Sequence, residues 1–253
     1  MMFNALGRTL LLETDSEAIL SIAKDTFGRF GPPQSEVPDI TLRLDGSVHN
    51  PATFRSEVLL YAFLSQLWKH GLMAVHGSAI VRNGRAILLR GPSGSGKTTL
   101  AYAAASGARH PRFQALAEDV VWIDLQAGLW RGIPWFFHLL PDASRLFPEL
   151  AGLEPVFESA GKIKLEVDLG EDRAVPEALP GPVVLLERSG RNGLEPVAPG
   201  EALKIWRLSP AGTEESFPGY DRHVEDLLKD GAWRLRLGSD LEEALGLLET
   251  LLP

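Results

Sequence analysis

The residues best placed to do chemistry form one short run: Gly91, Pro92, Ser93, Gly94, Ser95, Gly96, Lys97, Thr98 and Thr99. Gly91 and Gly96, followed by Lys97 and Thr98, fit the Walker A pattern at each required position. Glycines let backbone N–H groups turn inward around phosphate oxygens, Lys97 sets a point charge against the β and γ oxygens, and the Thr98 hydroxyl can ligate magnesium. An apolar strand-like stretch, Ala86 to Leu89, precedes the run, and the Ala-rich, helix-compatible Thr98 to Ala105 follows it. Strand, loop and helix in that order are what phosphate binding needs, and a bare Gly-Ser turn would not bring them. ATP with magnesium is therefore the expected ligand of the loop.

Phosphoryl transfer also needs a carboxylate for the metal and a group that orients or deprotonates the acceptor. Three places compete. Val120 to Asp124 and Val183 to Glu187 each end four apolar residues with an acid, the form of a Walker B strand. Asp124 also precedes a turn, where capping is the competing role. The third is Glu118-Asp119, two adjacent carboxylates between apolar runs. His76 lies inside an apolar strand, where a hydrogen-bonded core histidine is the alternative to a functional one.

These residues need elements to hold them. Met73 to Val81 and Arg85 to Leu89 read as strands joined across Asn83-Gly84, the pair that tolerates the positive φ angles of a tight hairpin turn. Further strands are expected at Phe113 to Ala117, Val120 to Asp124, after Gly128, and at Ile163 to Val167, Val183 to Glu187 and Trp233 to Leu237. Helices are expected at Asp221 to Leu228 and Leu241 to Leu251. Glu171 to Pro182 and Gly190 to Gly200 read as loops on their Pro and Gly content. Upstream, Leu10 to Glu13, Ser16 to Phe27 with Asp15 available as cap, and Asp39 to Leu44 form a β-α-β pattern, and Thr53 to Lys69 reads as a longer helix. The expected organisation is a small N-terminal α+β module over 1–71 and an α/β nucleotide-binding kinase domain over 72–253.

Composition narrows the function classes. Of 253 residues 45% are hydrophobic and 23% charged, as in ordinary globular chains. A net charge of −8 draws the protein neither to nucleic acid nor to anionic lipid. With no cysteine there is no disulfide, thiolate metal ligand or cysteine nucleophile. No stretch approaches the ~20 apolar residues of a membrane span, and the opening apolar run is too short for a signal-peptide core. A cytoplasmic protein, with no nucleic acid or membrane partner, is expected; a homo-oligomer stays open. The aromatic run Trp130 to Phe137 could line an acceptor groove or pack a core. His138, and Lys162 with Lys164 on one strand face, are equally ambiguous.

The run from His76 to Asp119 resembles the catalytic domain of the HPr kinase/phosphorylase family. There a His-Gly strand and a hairpin lead into the phosphate loop, and an acidic pair follows the loop helix; here these read His76-Gly77, Gly91 to Thr99 and Ala117-Glu118-Asp119. The resemblance implies the fold shared with phosphoenolpyruvate carboxykinases, a mixed sheet with ATP lying on the loop. It implies that Lys97 holds the β and γ phosphates, Thr98 binds magnesium, Glu118 is the base on an acceptor serine, Asp119 lies near the metal, and His76 stands close to the transferring phosphate. Arg131-Gly132-Ile133 resembles part of the family's Arg-Gly-Leu-Gly signature, which implies a phosphate contact for Arg131.

The chain departs from the family in carrying Glu118 for an aspartate, Leu129 for a glutamate and Pro134 for a glycine. That signature goes with the phosphorylase reaction, so the reverse activity is not expected. What the resemblance implies is an ATP-dependent serine kinase acting on a peptide or small protein, such as a lasso-peptide precursor. A small-molecule kinase and a nucleotide-dependent switch with ATPase activity alone are the alternatives.

Overall fold

The computed structural model describes residues 1–44, 66–107, 112–159, 162–209 and 212–253. The chain gathers into two compact units, 1–71 with 135–171 and 72–134 with 172–253. It changes unit between Gly71 and Leu72, but the stretch 135–171, expected inside the second domain, belongs to the first unit.

The chain opens with a hairpin, β1 (Met2–Ala5) and β2 (Arg8–Glu13), whose turn residues Leu6 and Gly7 both take positive φ. Helix α1 (Glu17–Phe27) follows, and β3 (Ile40–Arg43) returns parallel to β2, closing the expected β-α-β unit. Ser16, not Asp15, caps the helix, its hydroxyl accepting from Ile19 N at 3.3 Å. Of the helix expected at Thr53 to Lys69, only 66–69 lie within the described residues, and they are helical.

In the second unit, the run expected as one strand from Met73 to Val81 is two, β4 (Leu72–His76) and β5 (Ser78–Arg82). β6 (Arg85–Arg90) pairs with β5 across Asn83 and Gly84, whose φ angles of 52° and 73° are those of a tight hairpin turn. The phosphate loop leads into α2 (Lys97–Ser106), and β7 (Gln114–Ala117), β8 (Val120–Asp124) and β9 (Leu129–Arg131) follow.

The stretch that returns to the first unit carries β10 (Phe136–Leu139), β11 (Phe157–Ser159) and β12 (Lys162–Asp168), a three-stranded antiparallel sheet in the order β10-β12-β11. It has contacts of its own in that unit. Trp135 Nε1 donates to Thr26 O at 3.1 Å, and Arg29 grips both Asp168 oxygens at 2.7 and 2.6 Å. That bidentate pair raises the Arg29 pKa. Trp135, Phe136 and Phe137 are buried, as is Trp130 in the second unit, so the aromatic run packs into two cores. His138 pairs with Glu166 at 3.2 Å.

Back in the second unit come β13 (Glu177–Ala178), β14 (Val183–Arg188), β15 (Gly193–Val197), α3 (Pro199–Arg207), α4 (Tyr220–Leu227), β16 (Ala232–Leu237) and α5 (Leu241–Glu249). β15 and the start of α3 lie where a loop was expected. Pro196 sits in β15, which among the described strands is at the sheet edge and pairs with β16, and Pro199 opens a helix, the two places where proline's missing N–H costs little.

Two sheets organise this unit, a four-stranded one in the order β13-β9-β8-β4 and a six-stranded one in the order β15-β16-β14-β6-β5-β7. The larger is mixed, with β14 parallel to both β6 and β16 and the hairpin strands antiparallel. The protein is a mixed α/β chain with several sheets.

Candidate functional site

The site is built where two strands change sheets. β4 pairs with β8 in the smaller sheet and β5 with β7 in the larger, so the chain crosses between sheets at Gly77 going one way and at Glu118-Asp119 going the other. The crossings are tied together, Gly77 N donating to Asp119 O at 2.8 Å and the Ser78 hydroxyl donating to Glu118 O. Gly77 is required there because a Cβ would stand 2.8 Å from Leu89 O. This one corner brings His76, Glu118 and Asp119 to the mouth of the phosphate loop.

The two acids have different surroundings. Glu118 is buried, and its Oε1 accepts from the Thr98 hydroxyl at 3.1 Å. Asp119 is half exposed, with Oδ1 3.2 Å from His76 Nδ1. The structure therefore places Glu118, not Asp119, beside the hydroxyl expected to ligate magnesium, and gives Asp119 the histidine. Among the described residues no three His, Asp or Glu side chains converge on a ready-made metal site. A magnesium ion that is held by one or two protein oxygens and otherwise by phosphate fits Thr98 and Glu118 without one.

The loop fits a polyphosphate. Gly94 and Gly96 take φ of 81° and 100°, in the left-handed region, and a Cβ on Gly91 would stand 2.8 Å from both Leu186 O and Ser95 Oγ. Lys97, at the start of α2, donates to Gly91 O at 2.9 Å and Pro92 O at 3.2 Å, which folds its ammonium back over the loop. Ser95 is buried, and among the described residues its hydroxyl has no hydrogen-bond partner. A buried hydroxyl left unsatisfied beneath a loop of left-handed glycines is one of the exceptions that a ligand or an ordered water would explain. Pro92, Ser93 and Gly94 form the exposed rim, and Thr98 and Thr99 are half-buried in the first turn of α2.

Arg131 is committed elsewhere. Its Nε donates to the fully buried Asp124 at 3.1 Å and its Nη1 to Glu177, while the other Asp124 oxygen caps the turn through Gln126 N at 3.1 Å and Ala127 N at 3.0 Å. Asp124 is thus a turn-capping and arginine-binding residue. Glu187, the other strand-end acid, is exposed and faces Arg234 at 3.6 Å.

Sequence reasoning missed a buried assembly behind His76. Arg90, the last residue of β6, is 1% exposed and pairs with Glu214 through Nη1 at 3.2 Å and Nη2 at 3.1 Å. Arg90 Nη1 also donates to His76 O at 2.9 Å, and Glu214 accepts from His76 N. Both backbone polar groups of His76 are therefore held by one ion pair. Ser209 O accepts from Arg90 Nη2 at 2.9 Å, the Trp206 ring lies 3.9 Å from the guanidinium, and Tyr220 Oη donates to Glu214 at 2.9 Å. Burial, then the Glu214 charge, pushes the Tyr220 phenol above its ordinary pKa and keeps it a donor. The charge closing the apolar run Ala86 to Leu89 was the available signal for Arg90; Glu214 had none.

No family model and no curated protein matches the chain. Among solved structures it is similar to the Hpr(Ser) kinase/phosphatase from Coxiella burnetii, with a TM-score of 0.34 and 12% identity over 70% of this chain and 87% of that one. So loose a likeness carries no argument about what this site does. No helix among the described residues is long and apolar enough to cross a membrane.

Proposed function

We propose that this chain is an ATP-dependent kinase that passes the γ-phosphoryl group to a hydroxyl, with a serine of a peptide or small protein as acceptor. The observation that carries the reading is the gathering of Lys97, the Thr98–Glu118 contact and the Asp119–His76 pair at one mouth of a left-handed glycine loop. The serine rests on the resemblance of His76 through Asp119 to the HPr kinase family. The acceptor oxygen attacks the γ phosphorus as the bond to the ADP oxygen breaks, and the acceptor proton passes to Asp119, which His76 orients. Thr98 and Glu118 would hold the magnesium ion, which neutralises phosphate charge when bound. This assignment reverses the roles that the resemblance implies for the two acids, because their contacts differ in that sense.

The test is to incubate the protein with labelled ATP and the peptides encoded beside its gene, and to locate the label by mass spectrometry. A phosphoserine on such a peptide is the expected outcome. ATP hydrolysis with no labelled acceptor would favour a nucleotide-dependent switch, and label on small hydroxyl compounds alone would favour a small-molecule kinase.

A further inference from the structure

β6 stands between β5 and β14 in the larger sheet, so the phosphate loop that leaves its end has the acids and His76 on one flank and the ends of β14 and β16 on the other. Helix α3 contributes to two pockets. The first, of about 370 Å³, lies on that second flank, lined by Ile205 of α3 and Leu208 just beyond it, by Leu185 and Leu186 of β14, and by Pro92 to Ser95 of the loop. The second, of about 360 Å³, is lined by no residue of the phosphate loop. Its buried part is Arg90, Trp206, Tyr220 and Val224, and its exposed part is Arg207, Glu215 and Asp221.

Arg90 is the unfinished member of this second pocket. Its Nη1 and Nη2 are taken up by Glu214, His76 O and Ser209 O, but Nε has no hydrogen-bond partner among the described residues, in a side chain that is 1% exposed. A buried guanidinium N–H without an acceptor is costly, and a ligand that brings one recovers that cost. The surrounding charges restrict what the acceptor can be. With Glu214 counted, Arg90 and Arg207 stand against Glu214, Glu215 and Asp221, an excess of one negative charge. A phosphate dianion would add to that excess and be repelled. A carboxylate brings the least charge that still makes a charge-assisted hydrogen bond, and an ammonium on the same molecule offsets it at the acidic mouth. Trp206 and Val224 offer apolar surface to the carbons between the two ends.

We propose that this pocket binds a small zwitterion, its carboxylate accepting from Arg90 Nε and its ammonium displacing Arg207 from Asp221 at the mouth. Arg207 is suited to give way, because it lies 3.4 Å from Asp221 and 4.0 Å from Glu225 with all three side chains more than half exposed. Nε is closed off from solvent in this arrangement, and the departure of Arg207 admits the ligand. The inference does not depend on the kinase reading. The bound molecule nonetheless lies one residue from the corner at His76, whose N–H and C=O are held by Glu214 and Arg90.

Three probes, ε-aminocaproate, caproate and hexylamine, share a flexible chain and differ at their ends, so they test the two ends separately. Each is titrated into the full isotope-labelled chain, and two resonances are followed by NMR: the Trp206 indole N–H, which donates to Tyr220 Oη at 2.9 Å, and the His76 amide, which donates to Glu214. ε-Aminocaproate is expected to shift both and to bind at least about threefold more tightly than caproate, with hexylamine weaker than either. Arg207→Ala, at an exposed position, should strengthen ε-aminocaproate by about threefold, and Glu215→Gln combined with Asp221→Asn should bring it down to the affinity of caproate. Saturating magnesium-ATP should leave both shifts in place. Silence of both resonances with all three probes would overturn the site and leave Arg90 Nε to an ordered water. Hexylamine binding as tightly as ε-aminocaproate would overturn the inward carboxylate, and mouth variants that change nothing would overturn the ammonium contact. Displacement of the probe by magnesium-ATP would make the pocket part of the nucleotide site and sink the proposal.

Discussion

The two flanks of the phosphate loop are built by different means. On the β5-β7 side, three polar side chains are placed by two paired crossings of strands between sheets, with Gly77, Glu118 and Asp119 tied through their own backbone. On the β14-β16 side, an apolar pocket is assembled from a strand, a helix and the loop rim, with Arg188 on Gly94 O as a polar strut. Groups that move protons or hold a metal must be fixed to fractions of an ångström, and backbone ties at a sheet corner provide that. A pocket walled mainly by apolar side chains needs no such precision and can be made from separate elements. The Arg90–Glu214 pair connects the two constructions: it grips the His76 backbone on one flank, and on the other it reaches the Trp206 ring and the carbonyl of Ser209, a pocket-lining residue.

Breaking that connection should have the largest effect. Glu214→Ala leaves the Arg90 charge buried with no counter-ion, which costs about 3–5 kcal/mol and should lower the melting temperature by about 10 °C or more. The double variant Arg90→Met with Glu214→Leu removes both charges and should recover most of that stability. Phosphoryl transfer should stay low in the double variant, because His76 N and O lose their anchors. Recovery of full activity along with stability would show that the pair only fills space.

Within the polar flank, the two acids should separate. Asp119→Asn keeps the shape and cannot take a proton, so transfer should fall by about a hundredfold with ATP binding intact. Glu118→Gln should instead raise the magnesium concentration needed for half-maximal rate. The opposite pattern in a magnesium titration of both variants would restore Glu118 as base. A smaller effect belongs to the other flank: Arg188→Ala removes the strut on Gly94 and should weaken ATP binding by about fivefold without altering the rate at saturating ATP. A fall in that saturated rate would mean that Arg188 reaches the reacting phosphorus.

The polar flank was legible in sequence because its chemistry is contiguous. A phosphate loop needs glycine, lysine and threonine at fixed neighbouring positions, and a tight hairpin needs the positive φ that Asn83 and Gly84 supply. The acid pair was visible as a pair, although only the contacts to Thr98 and His76 tell its members apart. The apolar flank was not legible. Leu185, Ile205 and Leu208 look like any other core or helix residues, and what makes them a pocket is the distance between strands that a sequence does not display. Glu214 lies 124 positions from Arg90 and has no local pattern. Pro196 concealed β15 because proline argues against a strand unless the strand is known to be an edge. Arg131 was assigned to phosphate by resemblance, while its partner Asp124, seven positions back, holds it in the turn.

The smallest effect probes the seam between the flanks. Ser95 is buried in the loop, and its hydroxyl has no partner among the described residues, so the folded chain carries the cost of dehydrating a donor and an acceptor without a hydrogen bond in return. Ser95→Ala removes that cost. Without nucleotide the variant should be as stable as the parent or more stable, by up to about 1 kcal/mol. With nucleotide the sign reverses: a loop that rearranges around its phosphates brings an oxygen to the hydroxyl, that donor is missing in the variant, and ATP affinity should fall by about threefold. The two measurements must be made on the same protein, since either alone has an ordinary explanation: a core serine often tolerates alanine, and a loop substitution often weakens a ligand. Their opposite signs do not. A loss of stability in the nucleotide-free variant would show that the hydroxyl is satisfied within the chain, and unchanged ATP affinity would show that the loop meets its phosphates without it.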